Sequence, residues 1–286
     1  MGRRFPIAHF AILILWSLVC LFPLYWMLLT SLKADADFIN GPRYIPYVDF
    51  VPDFHAWRFI LFEAQDGIYW RFANSLFVAL AAAALAVGAG TMLVYGATRL
   101  PSQHGWLQGK FLIPVMIATR VLPPLVVALP LYVMAKIFNV LDTKALLILV
   151  YAAVHVPVVA WLCVPVIGLK RSEQEDAALL EGASNFLIFR SIVVPMAAAG
   201  LIAIGAIVFV LCWNEYILAV FLTSDNALTL PPFLMGQMSI KEAAAGAESH
   251  EWGNFSAATI IMVLPVIALT GAALALLRKL PFLRSS

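Results

Sequence analysis

EQEDAALLEGASNFLIFRSIVVP, residues 173–195, is the stretch on which the fold turns. It holds Glu173, Glu175, Asp176 and Glu181, the one dense charge cluster in a chain of 286 residues that is 63% hydrophobic and 12% charged. A soluble domain carries about twice that share of charge. Apolar runs flank the stretch at Ala145–Leu169 and Ala197–Thr223, each long enough to cross the roughly 30 Å hydrocarbon layer as a helix. The cluster therefore reads as a polar link between two membrane spans.

Working outward, four more runs qualify, so the expected spans are His9–Leu32, Phe72–Thr98, Phe111–Ala135, Ala145–Leu169, Ala197–Thr223 and Phe255–Leu277. Each must be a helix, because an open strand would leave backbone polar groups unpaired in lipid. The reading is an all-α integral membrane protein, residues 1–286 forming a single transmembrane domain of six helices. Arg3 and Arg4 precede the first span and the small residues Ala34-Asp35-Ala36 follow it, as in a cleavable signal. Its apolar core exceeds the roughly 7–15 residues of such a signal, so it reads as a retained signal-anchor. With the amino terminus inside, the inner side holds Arg3, Arg4, Arg99, Lys110, Lys170, Arg171, Arg190, Arg278, Lys279 and Arg284, but only four of the 16 acids. The loops and tails next to the spans thus favour both termini in the cytoplasm, and residues 170–195 with them.

Other features narrow the function. Cys20, Cys163 and Cys212 all fall in spans and read as small buried hydrophobes. The five histidines show no metal-ligand spacing, and no phosphate loop exists, so the chain is expected to be non-catalytic, without metal or cofactor of its own. The run Ala81–Ala84 with Gly88-Ala89-Gly90 gives the second span a small-residue face suited to close helix packing. Asn139 and Asp142 mark a tight turn, and the longer loops 33–70 and 224–254 read as ordered against the membrane domain or a partner.

Within 173–195 the order is Glu175, Asp176-Ala177-Ala178, two leucines, Glu181-Gly182-Ala183, and Pro195 thirteen residues beyond the glycine. Small residues on a short helix permit close approach to a partner, acids favour its first turn, and Gly182 allows a sharp backbone turn. Leu179, Leu180, Phe186, Leu187 and Phe189 could wedge against that partner or the membrane domain. An ordinary solvated loop would need acids alone.

This pattern resembles the loop by which permeases of binding-protein-dependent ABC importers grip their ATPase. The resemblance extends to Asn74-Ser75, Pro130-Leu131-Tyr132, Trp213-Asn214-Glu215-Tyr216 and Trp252-Gly253-Asn254-Phe255, and so covers most of the chain. It points to the carbohydrate-uptake branch, and to a six-helix subunit similar to the second permease of the maltose transporter. The resemblance implies a multi-pass protein of a bacterial inner membrane and an ABC importer permease fold. Implied partners are a second permease in a heterodimer, two copies of an ATPase binding ATP and Mg, and an extracytoplasmic solute-binding protein; no nucleic acid is implied. Glu175, Asp176, Ala177, Ala178, Glu181, Gly182, Ala183 and Pro195 would form the docking element. Two departures are the longer first outer loop and the tail PFLRSS, which lacks a glycine-rich ending.

Ionisable residues inside spans are functional candidates. Counting about 1.5 Å per residue, Arg120 sits roughly 15 Å into the third span, and Glu215 roughly 27 Å along the fifth. Separate roles along a polar path fit those depths better than a direct pair, and Glu215 could equally cap the outer end of its span. Asn74, Tyr132, Trp213, Asn214 and Tyr216 complete the solute-path candidates. His155 reads as bonded to a neighbouring helix. Pro123, Pro124, Pro130, Pro157 and Pro165 either open the path or kink helices for packing. The alternative class is a secondary carrier that uses Arg120 and Glu215 for ion coupling.

Overall fold

The computed structural model of the chain describes residues 7–34, 37–38, 43–63, 68–100, 109–168, 170–236 and 250–279. Arg3, Arg4, the Asp35-Ala36 pair, residues 237–249 of the last long loop and the tail from residue 280 lie outside them. Among the described residues there is no strand, only an isolated bridge between Pro46 and Phe50. Five helices among the described residues are long and apolar enough to cross a membrane, and a bent pair makes a sixth if it is one span. The residues divide into two compact units, Met1–Trp70 with Phe233–Pro265, and Arg71–Pro232 with Val266–Ser286.

The first unit contains helix α1 (Ile7–Thr30) and the short α2 (His55–Arg58), which runs into a π-helical turn at Phe59–Glu63. The described part of the first loop is ordered against the end of α1. Tyr25 donates to the Tyr44 carbonyl at 2.8 Å, Trp57 Nε1 to Ser31 Oγ at 3.2 Å, and the Asp53 N–H to the Leu32 carbonyl at 2.8 Å.

The second unit is built on α3 (Ile68–Arg99), followed by α4 (Gly109–Ala118), α5 (Pro124–Ile137) and α6 (Lys144–Ile167). Next come α7 (Glu173–Leu180), α8 (Asn185–Ile188), α9 (Val194–Trp213) and α10 (Ile217–Leu222); α11 (His250–Lys279) closes the described chain. The small-residue face of α3 is used: Ala79, Ala82, Ala83 and Ala86 are buried, and a Cβ at Gly90 would lie 2.5 Å from Val159 Cγ1 on α6. Gly88 meets nothing within 4 Å, so one glycine of the pair makes the contact.

Two expected spans are not straight rods. In place of Phe111–Ala135 there are two arms at 90°, α4 with a 3-10 turn Thr119–Val121, then α5. The cause is Pro123-Pro124. A residue before proline is driven out of the helical region, so Leu122 (ψ 127°) and Pro123 (ψ 138°) are both extended, and Pro124 starts a new helix. The fifth span breaks between α9 and α10, at Asn214–Tyr216.

Candidate functional site

The link between α6 and α9 is a folded object. Ser172 caps α7 by accepting from the Glu175 N–H (3.3 Å), while Glu175 Oε1 accepts from the Ser172 N–H (3.1 Å), a reciprocal capping box. At the other end Gly182 has φ +84°, the Ala183 N–H reaches the Ala178 carbonyl at 2.9 Å, and the Gly182 N–H reaches Leu179 at 3.0 Å. That is a Schellman stop, and a left-handed residue there is best a glycine. Ser184 then caps α8, which runs through a π-helical turn at Phe189–Val193 into α9, with Pro195 just past that turn.

The expected docking residues divide into two sets. Asp176, Ala177, Glu181 and Gly182 are exposed, Ala178 and Ala183 half-buried, and Pro195 exposed. Leu180 (90% exposed), Phe186 and Leu187 stand free of the chain. Phe189 and Leu179 instead join Tyr95, Ile188 and Val193 in a small core. Glu175, expected on the docking face, is buried. Its carboxylate receives Arg99 Nε at 2.9 Å and Nη2 at 3.1 Å. Burial alone would raise the pKa of this acid, but the Arg99 and Ser172 donors outweigh it and hold the carboxyl below its ordinary value. The Ser172-x-x-Glu175 spacing was a legible cap signal; Arg99 was visible only as one more basic residue at a span end.

The second candidate is a cavity of about 570 Å³ inside the second unit, at the break between α4 and α5. Arg120, Thr119, Val127, Val154, Pro157 and Glu215 are among its lining residues. Arg120 donates to the Val154 carbonyl at 3.2 Å, and Glu215 Oε1 accepts from the Leu218 N–H at 3.0 Å, so Glu215 caps α10 and does not pair with Arg120. The different depths expected for the two charges came from counting rise along straight helices; the 90° bend brings both to one cavity. Its wall is apolar apart from a few polar groups, an arrangement typical of small-molecule sites.

Other solute-path candidates lie elsewhere. Asn74 is buried, its amide donating to the Asn226 (3.0 Å) and Leu228 (3.1 Å) carbonyls. Trp213 is core, stacked on Phe209 and edge-on to Phe72. Asn214 bonds its own helix at Val210 (2.8 Å), while Tyr132 and Tyr216 are exposed and outside the cavity lining. His155 is buried and bonds the Tyr151 carbonyl of its own helix at 2.8 Å, with Cys212 Sγ of α9 at 3.8 Å. Cys163 and Cys212 are buried within the chain, and Cys20 lies on an outward face of α1 within the apolar run His9–Thr30.

Asn139 and Asp142 both take the left-handed backbone of the expected tight turn (φ 54° and 56°), and Asp142 has a second role. Asp142 accepts from the N–H groups of Ser224, Asp225, Asn226 and Ala227 at 2.9–3.2 Å. Partial burial would raise its pKa, but the four N–H groups outweigh it and hold it at about 2. The segment so held also bonds α3, where Arg71 pairs with Asp225 (2.7 Å) and Ser75 Oγ accepts from the buried Leu230 N–H (2.7 Å).

Residues 87–280 match the family described as binding-protein-dependent transport system inner membrane component, and the chain belongs to that family. It is 28% identical over 267 residues to the diacetylchitobiose uptake system permease protein NgcG of Streptomyces coelicolor, covering 93% of this chain and 83% of that one. Over 256 residues it is 23% identical to the trehalose/maltose transport system permease protein MalG of Thermococcus litoralis, covering 89% and 87%. A chain in the crystal structure of a bacterial ABC transporter involved in the import of the acidic polysaccharide alginate shares the fold. Its TM-score is 0.71 at 18% identity, covering 96% of this chain and 98% of that one. The protein is thus a multi-pass permease subunit of an ABC importer in the cytoplasmic membrane, and nothing in these likenesses supports a secondary carrier.

Proposed function

We propose that this permease forms half of the translocation path for a saccharide or related polyhydroxy solute, with both termini in the cytoplasm. It works with a second permease, two copies of an ATPase that binds ATP and Mg, and an extracytoplasmic binding protein. The α7–α8 link is the ATPase-docking element. The observation that carries this reading is the division of that link into a face bonded to its own chain and a face left open. Leu180, Phe186 and Leu187 stand exposed beside Asp176 and Glu181, which fits an apolar cleft with a basic rim. The solute class rests on the diacetylchitobiose and trehalose/maltose systems in which the relatives serve. The cavity at Arg120 and Glu215 lies on this chain's side of the path. There the guanidinium donates to hydroxyl oxygens and the carboxylate accepts from hydroxyl groups.

The test is Gly182→Asp. Gly182 has open space around its Cα but a φ that disfavours side chains, so the substitution strains the turn and adds charge on the docking face. The variant is expected in the membrane at normal abundance, with co-purifying ATPase reduced about tenfold, as one lost interfacial anchor would produce. Normal co-purification would remove the docking assignment.

A further inference from the structure

The docking link is fastened to α3 at two points. Arg99 has no exposed side-chain surface, and its guanidinium is fully engaged. It binds both Glu175 oxygens, the Gly168 carbonyl at 2.9 Å and the Ile167 carbonyl at 3.0 Å. Arg171 returns a bond to the Arg99 carbonyl at 2.7 Å. One helical turn earlier, on the same face of α3, the Tyr95 hydroxyl donates to the Asn185 carbonyl at 3.0 Å and its ring packs on Phe189. Arg99 therefore holds α7 and Tyr95 holds α8, so the link cannot swing without taking the end of α3 with it.

The far end of α3 is fastened as well. Arg71, Asn74 and Ser75 bond Asp225, Asn226, Leu228 and Leu230. From Arg71 to Arg99 a helix spans roughly 42 Å at 1.5 Å per residue. α3 covers it as one helix without an internal proline. The other long elements that begin in the second unit are broken or carry internal prolines, α6 being continuous but proline-bearing. The α4–α5 pair bends by 90°, α6 contains Pro157 and Pro165, and α9 stops at Trp213. A helix with fastened ends passes on a push or tilt; a broken one absorbs it.

We propose that α3 is the rod by which movement of the docking link reaches the 223–230 segment at its other end, and that Arg99 is the positioning residue that joins rod to link. The bidentate pair suits this role, because a buried guanidinium stripped of its carboxylate is strongly destabilising. The joint therefore moves as a body and does not slip. The proposal rests on the α7–α8 link being the ATPase-docking element.

The experiment uses the whole importer in lipid nanodiscs, with the native cysteines replaced and Ser224→Cys as the reporter. The labelling rate of that cysteine by a maleimide is read with and without ATP and vanadate, beside ATPase co-purification and basal ATP hydrolysis. With Arg99 present, nucleotide trapping should change the labelling rate several-fold. In Arg99→Gln the change should shrink about tenfold, the weight of a buried charge-assisted bond, while the ATPase stays bound and active. A role confined to stability would lower all three readings together. Should Arg99→Gln lose the ATPase, Tyr95→Phe decides: it keeps the ring packing and deletes one hydrogen bond, and should reduce the response about threefold. An undiminished response in Arg99→Gln, or in Tyr95→Phe where that variant decides, overturns the proposal, as does a reporter that ignores nucleotide when Arg99 is present. Failure of the docking assignment shows separately, as normal ATPase binding by Gly182→Asp.

Discussion

Replacing Asp142 by alanine removes the acceptor for four backbone N–H groups at once, yet the cost is far less than four hydrogen bonds. Ser224, Asp225 and Asn226 are exposed, so their N–H groups turn to water at little net loss. Ala227 is fully buried, and its N–H, 3.0 Å from Asp142 Oδ1, would be stranded. One orphaned buried donor costs about 1–3 kcal/mol. Alanine at φ 56° adds about 1 kcal/mol of left-handed strain. Local opening of 224–227 should therefore become easier by roughly 2–4 kcal/mol, and the Ala227 amide should exchange with deuterium about 30-fold faster or more. Asp142→Asn keeps one oxygen and tolerates the backbone, so about 1 kcal/mol is expected. The sign of the pH effect follows from the depressed carboxyl. Its contribution is complete above the ordinary aspartate value near 4 and is lost as pH falls through about 2. Wild-type exchange at Ala227 should then be insensitive to this group from pH 5 to 8, apart from the intrinsic rate. An alanine variant with wild-type protection, or an asparagine variant as open as alanine, would refute the reasoning.

Gly90→Ala should destabilise the purified subunit by about 1–3 kcal/mol through overpacking on Val159, whereas Gly88→Ala, with open space around it, should be neutral or better; thermal unfolding in detergent ranks them. Arg120→Met deletes every donor of that side chain while keeping length, and should lower uptake about tenfold or more, with the subunit complex still assembled on size-exclusion chromatography. A dispersed complex would assign Arg120 to packing, and Glu215→Gln should do less because the amide oxygen can still cap α10. With the native cysteines replaced, a cysteine at Asn226 should react with an impermeant thiol reagent in intact cells and one at Asn185 should not. The opposite pattern would invert the orientation.

How far the sequence reaches depends on the range of the interaction concerned. Composition marks the apolar runs because lipid acts on each helix separately, and the Ser172 cap and Gly182 turn are local, so their letters suffice. The bend at Pro123-Pro124 is announced by its residues, but its 90° amplitude depends on what α4 and α5 pack against. Asp142 reads as a turn residue from its neighbours; its four partners lie more than 80 positions away. Nothing local in the sequence selects them.

The same distinction governs particular side chains. Glu175, Asn74 and Trp213 each stand in a pattern that resembles a transporter's functional signature, and each is consumed inside the chain by Arg99, by the 226–228 backbone, and by Phe209 and Phe72. A pattern of residue types marks a position as constrained without saying whether the side chain faces a partner or its own fold. Burial decides that. Glu175 at 3% exposure and Leu180 at 90% lie in one eight-residue helix, and the difference makes the first a fastening and leaves the second free to meet a partner. A docking element needs both, because a surface that meets a moving partner passes nothing on unless its other face is held.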